Sequence, residues 1–128
     1  MTDGVGLIDA ERKRQILVER WSKEHDDQHT SGEIAIAACC YAAAASGIEI
    51  FALDPRRSPE VHHFEDPWPW ESKWDKRRYY GRQVSDTSRS LAKPGSYSDV
   101  ERLDLLVKAG ALIAAEIDRL KRAGYEYG

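Results

Sequence analysis

Thirteen residues, Trp21-Ser22-Lys23-Glu24-His25-Asp26-Asp27-Gln28-His29-Thr30-Ser31-Gly32-Glu33, hold four acids, two histidines and a tryptophan. His25 and His29 stand four positions apart with carboxylates between them. In a helix that spacing sets both imidazoles on one face, and with Glu24 or Glu33 it offers the donors of a divalent site, for example for Mg. The competing reading is a polar turn between helices, in which Asp26 or Asp27 caps local amides and the histidines bond to carbonyls. Thr30 marks a helix start that leaves His29 outside the helix, so the turn is the preferred reading and no cofactor is expected.

A second concentration is Lys76-Arg77-Arg78-Tyr79-Tyr80-Gly81-Arg82, where cations alternate with aromatic rings. That composition can hold phosphates while a ring stacks on a base; it also describes an ordinary solvated loop. If the two concentrations converge, the site comprises His25, Asp26, Asp27, His29 and Glu33 on one side and Arg77, Arg78, Tyr79, Tyr80 and Arg82 on the other. The start of a helix after Thr30 would add free amides and positive dipole to a bound phosphate. The segment Asp66-Pro67-Trp68-Pro69-Trp70-Glu71-Ser72-Lys73-Trp74 is proline-stiffened and aromatic, and is expected to fold back over the helices and close over such a ligand.

Acids on the later helices admit a catalytic alternative. Glu101 and Asp104 form an E-x-x-D pair, and with Glu33 they resemble the magnesium-binding acids of all-α nucleotide pyrophosphohydrolases. The E-x-x-E pair those enzymes carry on an earlier helix is missing, because Ile36 follows Glu33 by three residues and Thr30 precedes it by three.

Three helices must position these groups, at about residues 8–21, 31–46 and 99–123. In the first, charges at Glu11 to Arg14 precede Ile16, Leu17, Val18 and Trp21, so only the second half has an apolar face with which to dock. The second opens on the capping-box pattern Thr30-Ser31-Gly32-Glu33 and stops at Gly47; it is apolar throughout from Ile34 to Ala45 and belongs at the centre. The third opens on another capping box, Ser98-Asp99-Val100-Glu101. Its broad stripe of Leu103, Leu106, Val107, Gly110, Ile113, Ala114, Ile117 and Leu120 is the predicted core face. Leu105 and Leu112, on the opposite side with Ala109 between them, then imply a wrapping loop or a second subunit, and a symmetric dimer is the simpler expectation. The roughly fifty residues at 47–97 lack periodicity and are long for a connection, which marks a functional loop; Ser58-Pro59-Glu60 could begin a short helix within it. The predicted fold is an all-α bundle of three main helices forming one domain over residues 1–128.

Composition limits the partners. The formal net charge of -3 in 128 residues gives no overall basic field, which argues against broad nucleic-acid binding. Cys39 and Cys40 are adjacent within a helix, where a disulfide between them would be strained, as fits a reducing cytosol. The amino terminus lacks signal-peptide regions, and the apolar run from Ile34 to Ala45 is too short for a bilayer span, so no membrane association is expected.

Glu11-Arg12-Lys13-Arg14-Gln15-Ile16, the W-S-x-E-H-D-D-x-H run from Trp21 to His29, Pro67-Trp68-Pro69-Trp70 and the stretch Leu106 to Leu120 together resemble a family of small proteins encoded by tailed phages and prophages. Where that family continues as W-W-K-P, this chain reads Lys73-Trp74-Asp75-Lys76. The resemblance implies a phage origin and a host cytosolic setting, and brings no catalytic residues with it. By that context the expected function is a non-catalytic phage accessory protein, an oligomer. It would sequester a nucleotide-like signalling molecule or bind a host protein, for instance to counter host defence. A metal-dependent nucleotide pyrophosphohydrolase is the alternative, and a structural or packing role in the virion comes third.

Overall fold

Asp3 starts the first helix earlier than its apolar pattern predicts: its carboxylate accepts the Gly6 N–H at 2.9 Å and caps α1, Gly4–Leu17. The computed structural model describes residues 2–48, 50, 66–77 and 97–127. Within them the fold is all-α, with α1 followed by a one-turn α2 (Lys23–Asp26), then α3 (Glu33–Ala45), a 3-10 turn at Ser72–Trp74, and α4 (Asp99–Arg122). The expected helix start at Ser58-Pro59-Glu60 lies outside the described residues.

Backbone chemistry explains the ends. After α1 the chain turns through Arg20, whose φ is 64°, and Ser22 then caps α2 by accepting the His25 N–H. The capping box expected at Thr30 does not form. Gly32 is the cap residue, at φ 85°, a left-handed conformation that a residue inside a helix cannot hold, and α3 therefore begins at Glu33. The Glu33 carboxylate accepts the Ser31 N–H instead, at 2.6 Å. At the far end Gly47 adopts φ 75°; its N–H bonds to Ala44 O and that of Ile48 to Ala43 O, the paired bonds of a Schellman motif. The Ser98 box forms in full: Ser98 Oγ accepts the Glu101 N–H at 3.2 Å, and Glu101 returns a carboxylate to the Ser98 N–H at 2.9 Å.

The core lies between α3 and α4. Ile34, Ala37, Ala38, Tyr41, Ala44 and Ala45 of α3 meet Leu105, Ala109, Leu112 and Ala115 of α4, with Tyr97 beside them and Trp21, Trp68 and Trp70 packed at the margin. The two helices are antiparallel: Arg102 near the start of α4 donates to the Ala45 carbonyl at 2.8 Å, while Arg119 near its end lies within the field of Glu33. That guanidinium also satisfies a carbonyl that the end of α3 leaves without an intrahelical donor.

Two expected faces are reversed. On α4, Leu105 and Leu112 are buried within the chain, whereas Leu103, Leu106, Ile113 and Ile117 of the broad stripe are each about half exposed. The alanine surface of α3 accounts for this, because it seats best against a partner face that is also small. Ala109 and Ala115 make the Leu105 side that face, and the wider stripe would hold the backbones apart. Of the apolar residues expected to dock α1, Ile16, Leu17 and Val18 are exposed and only Trp21, beyond the helix, packs against the core, whereas Glu11 and Gln15 are buried. Arg14 grips both oxygens of Glu11, at 2.7 and 2.9 Å, and Gln15 Nε2 donates to the same carboxylate, so the buried charge is paired.

Three carboxylates make stability sensitive to acid. Burial disfavours the ionised forms of Glu11, Glu19 and Glu33. It is outweighed at Glu11 by Arg14 with Lys108 and Gln15, at Glu19 by Arg14 and Lys76, and at Glu33 by backbone N–H groups and His29, so all three pKa values lie below the ordinary carboxylate value of 4.5. A depressed carboxylate pKa stabilises the fold above the unfolded value and loses that contribution as pH falls through the folded one. Melting temperature should therefore be flat on descending to about pH 5 and then fall continuously. Glu11→Gln should be less stable at neutral pH and show a shallower decline below it; an unchanged slope in thermal melts would remove Glu11 from the cause.

Candidate functional site

The turn that holds the two histidines is clamped from both sides. Arg12 of α1 donates to Asp26 Oδ2 at 2.9 Å, and Arg122 of α4 donates to Asp27 Oδ1 at 2.8 Å. Both acids are thus engaged by arginines, and Asp26 is buried. Held this way, the segment presents Trp21, His25 and His29 along one wall. Trp21 and His25 lie parallel, 6° apart with centroids at 6.3 Å, and His29 meets His25 edge-on at 4.8 Å. His29 Nδ1 lies 3.2 Å from Glu33 Oε2, which orients the ring.

Residues 66–77 build the opposite wall. Asp66 accepts the Trp68 N–H, and the Trp68 indole donates to the Glu71 carbonyl, folding the proline-stiffened stretch on itself. Tyr41 of α3 anchors its end: the phenol oxygen accepts the Lys76 N–H at 3.1 Å. Burial pushes the pKa of this phenol upward. Below lies Arg77, fully buried and bound to Asp75 at 2.7 Å and Asp66 at 3.2 Å, with its guanidinium carbon 5.5 Å from the centre of the Trp68 ring. Trp70 approaches Trp21 at 6.1 Å and His29 at 5.3 Å, and Trp74 approaches Trp21 at 6.4 Å.

Between the walls lies a cleft of about 430 Å³ lined by Trp21, His25, His29, Pro69, Trp70, Glu71 and Trp74. Trp70 and Trp74 stand at 53° and 64° to Trp21, so the three indoles form the sides of a cage and no parallel slot. Among the described residues Glu71 is the one carboxylate in the lining, and Lys73 beside it stands 3.5 Å from that carboxylate and 5.3 Å from the centre of the Trp74 ring. Such a cage suits an organic cation, which is drawn to the negative faces of the rings and to the carboxylate.

The structure distributes the expected site residues unevenly. His25 and His29 line the cleft, whereas Asp26, Asp27 and Glu33 stand behind it in the pairs just described. Arg77 cannot meet a phosphate from solvent, because it is fully buried, with Nε bound to Asp75 and Nη2 to Asp66 and Asp75. Arg78, Tyr79, Tyr80 and Arg82 lie outside the described residues. Pro69, Trp70, Glu71 and Trp74 belong to the proline-stiffened segment expected to close over a ligand, whereas Trp21 was not among the expected contacts.

The acids of the catalytic alternative are separated. Glu33 begins α3, Glu101 caps the start of α4 beside the end of α3, and Asp104 holds Lys108 at 2.8 Å. Among the described residues, no three His, Cys, Asp or Glu side chains come together as metal ligands. Cys39 is exposed and Cys40 buried, both as free thiols, and burial pushes the Cys40 thiol up to about 12. Among the described residues, no helix is long and apolar enough to cross a membrane. The chain matches no protein-family model, and neither curated proteins nor solved structures give a match to it.

Proposed function

We propose that the protein is a non-catalytic binding protein, a phage accessory factor acting in the host cytosol, whose tryptophan and histidine cleft captures a lysine or arginine head group presented by a host protein. The observation that carries this reading is the cleft lining: three obliquely set indoles and one carboxylate, a combination that favours a cation over a phosphate. The carboxylate of Glu33 behind His29 adds to the negative surroundings. Counteracting a host defence protein is one use of such capture.

The test is a tryptophan-fluorescence titration with peptides bearing arginine, lysine or trimethyllysine, each against a neutral isostere. Saturable quenching by a cationic peptide is expected, with loss of at least tenfold in affinity for Trp21→Ala, in line with a cation–π contribution of about 0.5–2 kcal/mol per contact. Glu71→Gln should weaken binding by less. Equal responses to the neutral peptides would defeat the proposal. A second reading, a nucleotide-like ligand, is favoured by the parallel Trp21 and His25 rings, which offer a flat stacking face. Saturation by cyclic dinucleotides or adenosine phosphates, without a response to cationic peptides, would select it.

A further inference from the structure

The cleft offers ring faces freely and hydrogen-bond acceptors sparingly. Trp21, Trp70 and Trp74 are half-buried, whereas Glu71 stands at the rim, its side chain 74% exposed and its carboxylate shared with Lys73. The backbone oxygens of the lining are engaged within the chain: the Glu71 carbonyl accepts both the Trp68 indole N–H and the Trp74 N–H, the Trp74 carbonyl accepts the Tyr41 hydroxyl, and the His25 carbonyl accepts the Gln28 N–H. Each imidazole has Nδ1 beside a carboxylate, Asp26 for His25 and Glu33 for His29, which leaves one nitrogen of each ring for a ligand.

We propose that the head group this cleft selects is a quaternary ammonium, the side chain of a trimethylated lysine, in preference to unmethylated lysine or arginine; this rests on the reading of the cleft as a cation site. A primary ammonium carries three N–H donors and a guanidinium five, all hydrogen-bonded in water. Among the indoles most of those bonds go unreplaced, and a donor taken from water without a partner costs at least what a ring face returns. A trimethylammonium has no N–H to satisfy. Its methyl groups present apolar surface that the rings cover while the ring faces attract the charge. Trp70 and Trp74 are inclined to Trp21 at 53° and 64°, which suits a rounded head group better than a planar guanidinium. Lys73 supplies the contrast within the chain: its ammonium also lies over the Trp74 ring, but outside the lining and 65% exposed, where water completes its hydrogen bonds.

Tryptophan-fluorescence titration of the whole chain, with peptides differing at one residue, tests the ranking. The series is lysine, its mono-, di- and trimethylated forms, arginine, and the neutral tert-butyl isostere of trimethyllysine. Affinity should rise with methylation, with trimethyllysine about tenfold tighter than lysine, arginine or the isostere. Glu71→Gln, at an exposed position, should weaken the cationic peptides alike and preserve their order, because the carboxylate stands outside the rings. Lysine or arginine binding as tightly as trimethyllysine, with all three above the isostere, would overturn the selectivity and spare the cation site. An order lost in Glu71→Gln would also overturn it, by assigning the discrimination to the carboxylate. An isostere equal to trimethyllysine, or no response to any cationic peptide, would remove the cation site and the selectivity together.

Discussion

Arg77→Met should destabilise the fold by about 3–5 kcal/mol, the cost of removing one partner from a buried ion pair and leaving the other charged in the interior. Asp75 is 1% exposed and would lose every guanidinium bond it accepts, while Asp66 would lose its two. That is a large fraction of the 5–15 kcal/mol by which domains are ordinarily stable. The effect should appear in urea denaturation as a lowered midpoint. Raising the charge mismatch raises the loss: Asp75→Asn, which keeps the shape and one acceptor, should cost less than Arg77→Met. An Arg77→Met variant within 1 kcal/mol of wild type would mean that the Asp66–Arg77–Asp75 cluster opens to water at little cost.

Leu105→Ala should cost about 2–5 kcal/mol, because it removes a fully buried side chain from the contact between α3 and α4 and leaves a cavity there. Leu106→Ala, one residue along and half exposed, should stay within about 0.5 kcal/mol. Chemical denaturation of the two variants reads the difference directly. Equal losses, or a larger loss at Leu106, would show that the opposite face of α4 is the core.

The Leu105 and Leu106 pair also shows where sequence stops being informative. Both faces of α4 are apolar, and the wider one is the natural choice until the alanine surface of α3 is known to require a small counterpart. Helix class and the Ser98 box were legible because they depend on neighbours within four residues. The Thr30 pattern was equally local, yet a single left-handed residue, Gly32, displaced the start of α3. Arg77 shows the limit for charge: in a run of cations it reads as solvated or phosphate-seeking. Its partner Asp66 lies eleven residues away, and burial of the cluster depends on packing under Trp68. The histidine wall of the cleft was visible as composition. The indole wall needed the fold, since nothing in Pro69-Trp70-Glu71 specifies which surface the segment will reach.

The cleft has one wall on the segment clamped by Arg12 and Arg122, and the other on residues 66–77, secured by Tyr41 and Arg77. Its binding geometry therefore exists only in molecules whose strap is seated, and the apparent affinity is the intrinsic affinity reduced by the seated fraction. By the same linkage, occupancy of the cleft slows amide exchange along residues 66–77. Substitutions at Arg77, which touches nothing in the cleft, weaken binding by the amount that they loosen the strap.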